Sequence, residues 1–237
     1  MHELSIDVDG AQRTYVLSVP SESRKARPLL FAFHGSGGTG KELRGYIGFE
    51  DVAESEAIVV YPDGEGRQWD LDTPAATNKD IAFFDALVAE IEQKHCVDES
   101  RVFATGFSNG AYFVNQLGCR RGAAVLRAIA PHAGGGPFGS GGDYDANGEL
   151  KCAGAPPAVM VFHGTDDGAV SIAEGEKSVQ HWRKADGCSS ATTPRSPSPC
   201  VAFESCKNDV VFCKIPGHSH EVWSQGARAT WEFFASF

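Results

Sequence analysis

The sequence predicts an α/β fold: a mostly parallel central sheet with helices on both faces, opened by an N-terminal antiparallel hairpin. Three observations lead there. Short, continuous apolar runs stop at turn residues, as strands buried on both faces do. These runs alternate with stretches of helical periodicity, the order that builds a parallel sheet with covering helices. The first eighteen or so residues behave differently, alternating apolar and polar around Asp9-Gly10, which reads as a hairpin.

Taken in order, the hairpin strands fall at 3–8 and 12–19. Residues 28–33 form a buried strand ending in His34-Gly35-Ser36-Gly37-Gly38, and a helical stretch follows through Ser55. Residues 57–61 make the next strand, stopped by Pro62-Asp63-Gly64. Helical spacing returns over 80–94, where Ile81, Phe84, Leu87, Val88 and Ile91 share a face. A strand at 102–105 runs into a helix at 109–117, and another strand is expected at 126–130. The strand at 157–162 ends in His163-Gly164-Thr165-Asp166-Asp167, followed by a helix over 170–185. Short strands at 201–203 and 210–215 and a closing helix at 227–234 complete the pattern, with Trp231 and Phe234 in the core. The stretches 134–155 and 186–208 read as long loops. At 237 residues without repeats or linkers, residues 1–237 are expected to be one domain.

Composition narrows the partners. A net charge of −10, with no basic run, argues against nucleic acid and anionic membranes. No apolar stretch is long enough to span a bilayer. The start, Met1-His2-Glu3-Leu4, shows no signal peptide. The cysteines nonetheless point to an oxidising compartment: of seven, four fall between 188 and 213 in a Ser/Thr/Pro-rich stretch. Their spacing lacks the close pairs of a structural zinc site, so disulfides are expected, with one thiol left over and the pairing open. A secreted monomer is the expectation.

The chemistry centres on Gly106-Phe107-Ser108-Asn109-Gly110, at a strand-to-helix junction. A turn that exposes a serine hydroxyl there needs small flanking residues, and the two glycines supply them. Ser108 is the candidate nucleophile. The Asn109 N–H begins a helix, and with the Ser36 N–H it is the candidate pair of oxyanion donors. A serine needs a base. Downstream, Asp167 and then His220 stand in loops after strands, in the chain order this fold uses. His220 would accept the serine proton and Asp167 would orient and charge-balance the imidazole. Asp166 and His218 are rivals that spacing does not separate. His34 and His163 read as loop anchors, and Phe107 as a buttress of the turn. Trp69 and Trp223 are candidate substrate contacts. Asp143-Tyr144-Asp145-Ala146-Asn147-Gly148 copies the start of a calcium loop, but its twelfth position is Gly154 instead of a bidentate acid, so it reads as a turn-rich loop.

Besides the serine turn and the His34 loop, the chain carries Tyr61-Pro62-Asp63-Gly64 and Asp80-Ile81-Ala82-Phe83-Phe84. Asp98 precedes Arg101-Val102-Phe103-Ala104-Thr105-Gly106, and His163-Gly164-Thr165-Asp166-Asp167 follows. In this order, over roughly 12–235, they resemble the secreted esterases related to feruloyl esterases and polyhydroxybutyrate depolymerases. The resemblance implies an α/β-hydrolase fold, no cofactor and no metal, and it favours Ser108, Asp167 and His220 as the triad. It implies a small ester or esterified polysaccharide as partner, with a hydroxycinnamoyl ester of plant cell-wall polysaccharide first. Acetylxylan and polyesters are rivals within the class. Outside it stands a noncatalytic binding protein on a hydrolase scaffold.

Overall fold

A computed structural model describes residues 2–21, 25–139, 143–146, 148 and 150–237. Asn147, within the calcium-loop-like run, lies outside the described residues. The elements run β1 (His2–Val8), β2 (Ala11–Ser18), β3 (Arg27–Phe33), α1 (Gly40–Ile47), α2 (Phe49–Val52), β4 (Ile58–Pro62), α3 (Lys79–Lys94) and β5 (Val97–Phe107). They continue with α4 (Asn109–Arg121), β6 (Ala128–His132), β7 (Ala158–Gly164), α5 (Ile172–Ala185), β8 (Thr192–Pro194), β9 (Cys200–Phe203), β10 (Val210–Ile215) and α6 (Gly226–Phe234).

All these strands join one sheet in the order β1-β2-β4-β3-β5-β6-β7-β10-β9-β8. From β4 to β10 neighbouring strands are parallel; β1 and β2 at one end and β9 and β8 at the other pair antiparallel. The strand alternation sorts the core into two layers. Leu29, Phe31 and Phe33 of β3 face Phe84, Leu87, Phe113 and Trp182 of α3, α4 and α5. Leu30 and Ala32 point the other way, into the layer holding Leu43, Phe49, Trp231 and Phe234 of α1, α2 and α6. No helix among the described residues is long and apolar enough to cross a membrane.

Two expectations about elements are corrected. The sixth strand is displaced from 126–130 to Ala128–His132, because Leu126 N–H is still turned back onto Gly122 O at 2.9 Å and the pairing with β5 carries on through Pro131 to His132. The 186–208 stretch is not all loop. Its β8 and β9 extend the sheet edge, and Cys188–Cys206 closes its base while Cys200–Cys213 ties β9 to β10. A third disulfide, Cys119–Cys152, fastens the end of α4 to the segment before β7, and Cys96 is free and exposed.

Candidate active site

Backbone geometry at the end of β5 is dictated by crowding. A side chain at Gly106 would bring Cβ to 2.5 Å from Gly110 O, and one at Gly110 to 2.3 Å from Phe33 O. Only glycine lets β5, α4 and the end of β3 approach so closely. Between them Ser108 takes φ 54° and ψ −119°, a left-handed conformation costly for a residue with a Cβ. Its N–H donates to His132 O at 2.9 Å, so the last residue of β6 helps hold the turn. This is the geometry of a nucleophile elbow, with the hydroxyl raised above the carboxyl ends of the parallel strands.

A relay of two hydrogen bonds leads away from that hydroxyl. His220 Nε2 lies 2.9 Å from Ser108 Oγ, and His220 Nδ1 lies 2.7 Å from Asp167 Oδ2. The other oxygen, Oδ1, accepts the N–H groups of Ala169 at 2.9 Å and Val170 at 2.7 Å. Burial on its own would raise the Asp167 carboxyl. The bonds from His220, Val170 and Ala169 and the charge of His220 outweigh that and hold it below its ordinary value. An ionised Asp167 can only accept, so His220 Nδ1 carries the hydrogen and Nε2 is free to accept the serine proton.

The rival residues are placed elsewhere. Asp166 is exposed and its Oδ1 accepts the Thr165 hydroxyl at 2.9 Å. His218 turns its Nε2 to Glu221 O at 3.0 Å. The two histidines two residues apart take different partners, and only His220 reaches Ser108 and Asp167. Phe107 packs its ring 4.9 Å from the His220 ring.

The loop after β3 reaches the same place: the absent Cβ of Gly35 would sit 3.4 Å from Ser108 Cβ. His34 braces that loop. Its Nε2 accepts the Gly64 N–H at 3.0 Å, so its Nδ1 donates to Gly35 O at 2.8 Å. Burial lowers its pKa, in keeping with a neutral ring. Among the described residues, the N–H groups of Ser36 and Asn109 donate to no protein acceptor. His163, fully enclosed, lies with Nε2 2.9 Å from Val170 O and 3.5 Å from Asp167 Oδ2, bracing the turn that presents the carboxylate.

Trp69 does not present the stacking face expected of it. Trp69 is 3% exposed: its ring stacks on Phe113 at 5.1 Å and its Nε1–H donates to His34 O at 2.8 Å. Apolar walls from β3 and α4 absorb it. Trp223 is half-buried against the Phe162 side of the core, 6.4 Å between ring centres. The two clefts that adjoin the elbow are lined by Trp69 in one case and by Trp223 in neither. One, of about 250 Å³, borders Ser36 and includes Leu43, Tyr46 and Phe107. The other, of about 450 Å³, borders Asn109 and includes Gln68, Asp70 and Asp72.

Sequence reasoning missed a brace beneath the elbow. The Asn109 side chain accepts the Trp69 N–H at 2.7 Å and donates to Trp69 O at 3.2 Å. That loop is tied down in turn by Asp80, which accepts the Asp70 N–H at 2.7 Å and pairs with buried Arg13 at 2.6 Å. The signal was present: Arg13 stands on the apolar face of an alternating strand, with Tyr15 and Leu17, where a charge requires a partner. Among the described residues, the one cluster with metal-ligand character is Cys119, Cys152 and His181, and its two sulfurs are joined in a disulfide.

A serine on an elbow, served by an imidazole and a buried carboxylate on a mixed, mostly parallel sheet, defines a carboxylic-ester hydrolase of the α/β-hydrolase class. No family model matches the chain. It is 32% identical over 243 residues to the probable feruloyl esterase C of Aspergillus terreus, covering 94% of this chain and 83% of that one. It is 31% identical over 241 residues to the feruloyl esterase C of Emericella nidulans, with the same coverage, 94% and 83%. The chain belongs to the feruloyl esterase family. Its fold also matches that of an acetyl xylan esterase from Aspergillus awamori, with TM-score 0.76 and 17% identity over 99% of both chains.

Proposed function

We propose that the protein hydrolyses feruloyl or related hydroxycinnamoyl esters of plant cell-wall polysaccharide, with Ser108, His220 and Asp167 as its catalytic triad. The observation that carries the reading is the unbroken relay from Ser108 Oγ through His220 to Asp167, at 2.9 and 2.7 Å. Ser108 Oγ attacks the ester carbonyl as His220 Nε2 takes its proton. The N–H groups of Ser36 and Asn109 receive the oxyanion, which neutral carbonyls in the ground state use less. The tetrahedral intermediate collapses, His220 returns the proton to the leaving alcohol, and an acyl-Ser108 remains. A water molecule, deprotonated by His220, then releases the acid and restores the serine.

The hydroxycinnamoyl group is supported by the named activity of the relatives at 31–32% identity. It also suits the cleft bordering Ser36, where Leu43, Tyr46 and Phe107 offer apolar surface to an aromatic acyl chain. Three disulfides favour secretion, since such bonds persist in oxidising surroundings. We take the chain to act as one catalytic domain and as a monomer.

The test is release of ferulate from methyl ferulate beside release of acetate from p-nitrophenyl acetate, with wild type and Ser108→Ala in parallel. Ferulate release, lost in the variant, is expected. Turnover of acetate alone would keep the esterase and discard the hydroxycinnamoyl substrate; turnover of neither would remove the catalytic reading.

A further inference from the structure

The two oxyanion donors sit beyond the reach of the sheet. Pairing between β3 and β5 ends at Phe33 and Gly106, so neither Ser36 nor Asn109 is placed by strand register. Both N–H groups must nonetheless meet one oxygen, because a donor works only at hydrogen-bond distance from the place where the oxyanion forms.

The segment 64–69 bridges that gap. On one side it holds the loop that carries Ser36. Gly64 N–H donates to His34 Nε2 at 3.0 Å, Gly37 N–H donates to Arg67 O at 2.8 Å, and Trp69 Nε1–H donates to His34 O at 2.8 Å. On the other side it holds the first turn of α4. The Asn109 side chain clamps the Trp69 main chain, accepting its N–H at 2.7 Å and donating to its O at 3.2 Å. Within 64–69, Trp69 alone bonds to both sides. Its ring is wedged as well: 3% exposed, it stacks on Phe113 of α4 at 5.1 Å and meets Phe33 of β3 edge-on at 5.0 Å. Behind it, Asp80 fixes the next residue by accepting the Asp70 N–H at 2.7 Å. A ring that only filled space could be a phenylalanine. The indole N–H adds a bond to the carbonyl that leads into the Ser36 loop.

We infer that Trp69 is a positioning residue for ester hydrolysis: its indole and its main chain together set the spacing of the Ser36 and Asn109 N–H groups. This takes the place of the substrate-stacking role expected of it. The inference rests on hydrolysis at Ser108 and deepens it, since Trp69 acts through the two donors. Its effect falls on the transition state, where the oxyanion is charged, more than on the bound ester.

Trp69→Phe keeps a ring against Phe33 and Phe113 and deletes the indole N–H. Its kcat and kcat/KM for p-nitrophenyl acetate are expected to fall together, roughly ten-fold with KM little changed, as when an oxyanion donor is misplaced but not removed. Affinity for phenylboronic acid, whose tetrahedral adduct on Ser108 mimics the intermediate, is expected to fall by a similar factor. Trp182→Phe is the comparison. It too loses a buried indole N–H bond, to Asn115 Oδ1 at 2.8 Å, while Asn115 keeps Ser178 and Gly135 as partners. It is expected to lose stability in urea yet hold kcat within about two-fold of wild type. An unchanged kcat in Trp69→Phe, a change in KM alone, an unmoved boronate affinity, or an equal fall in Trp182→Phe would overturn the inference. Should Trp69→Phe fail to fold, Asn109→Ala decides: it cuts the other clamp and leaves the Asn109 N–H, and an unchanged kcat there overturns the inference equally. Failure of the hydrolase reading shows separately, as absent turnover by the wild type.

Discussion

At the scale of single residues, the site works because each polar atom has one available role. Asp167 has both oxygens committed, Oδ1 to two main-chain N–H groups and Oδ2 to His220. Asp167→Asn keeps the shape but replaces an obligatory acceptor with a group that can donate, so His220 settles in the wrong tautomer. A fall in kcat of roughly ten-thousand-fold is expected, with KM for methyl ferulate little changed. Asp166→Asn serves as the comparison: its exposed side chain touches Thr165, and a fall of similar size there would reassign the acid. The serine was legible in the sequence because an elbow is a local object, fully described by two glycines and their spacing. Spacing alone did not separate Asp167 from Asp166, because adjacent residues differ only in which way the turn after β7 aims them; only the family resemblance favoured Asp167.

At the scale of elements, α4 is the piece on which the site depends. Its first turn carries Ser108 and Asn109, and its middle is fixed by a buried asparagine. Asn115 donates to Gly135 O at 2.9 Å and accepts from Trp182 Nε1 at 2.8 Å and Ser178 Oγ at 3.2 Å, joining α4, α5 and the segment after β6. Asn115→Ala strands the indole N–H and a carbonyl in the core. A loss of about 2–4 kcal/mol, measured by urea unfolding, is expected. A loss under about 0.5 kcal/mol, the scale of ordinary surface changes, would mean the contacts are not formed. Helical periodicity identified α4 but not this network, since period alone marks Asn115 as one polar residue on a turn. Trp69 makes the same point. Its spacing from a strand end is compatible with an exposed platform, and only the approach of Phe33 and Phe113 from other elements buries it.

At the scale of the whole molecule, the sheet's far edge is held by covalent and buried ionisable groups. Unreduced, denatured protein should show one titratable thiol, Cys96; three or more would contradict the pairing. Asp186, at the end of α5, is fully buried, and its Oδ1 accepts the Asn208 N–H at 3.2 Å and Nδ2–H at 3.0 Å. Burial raises this carboxyl from 3.8 to about 6, against the bonds from Asn208 and the charge of Lys207. The fold therefore prefers the protonated acid. That contribution is fully present below about pH 4 and is lost as pH rises through about 6. Asp186→Asn stays neutral throughout. Its melting temperature relative to wild type is expected to rise between pH 4 and pH 7, by roughly 2–4 °C for each kcal/mol of linkage. Calorimetry at the two pH values checks this, and a difference independent of pH would refute it.

The sequence by itself determined the alternation of strands and helices, the hairpin at one edge, the elbow around Ser108 and the chain order of serine, acid and base. These depend on neighbours within a few residues, or on order alone. Tertiary structure decided the rest: which of two histidines meets the serine and which of two aspartates meets that histidine, which cysteines pair, where the tryptophans go, and that Arg13 and Asp80 brace the elbow from beneath. Each of those outcomes is a contact between residues far apart in the chain. Its distance is set by how the layers close around the sheet, which no local pattern records.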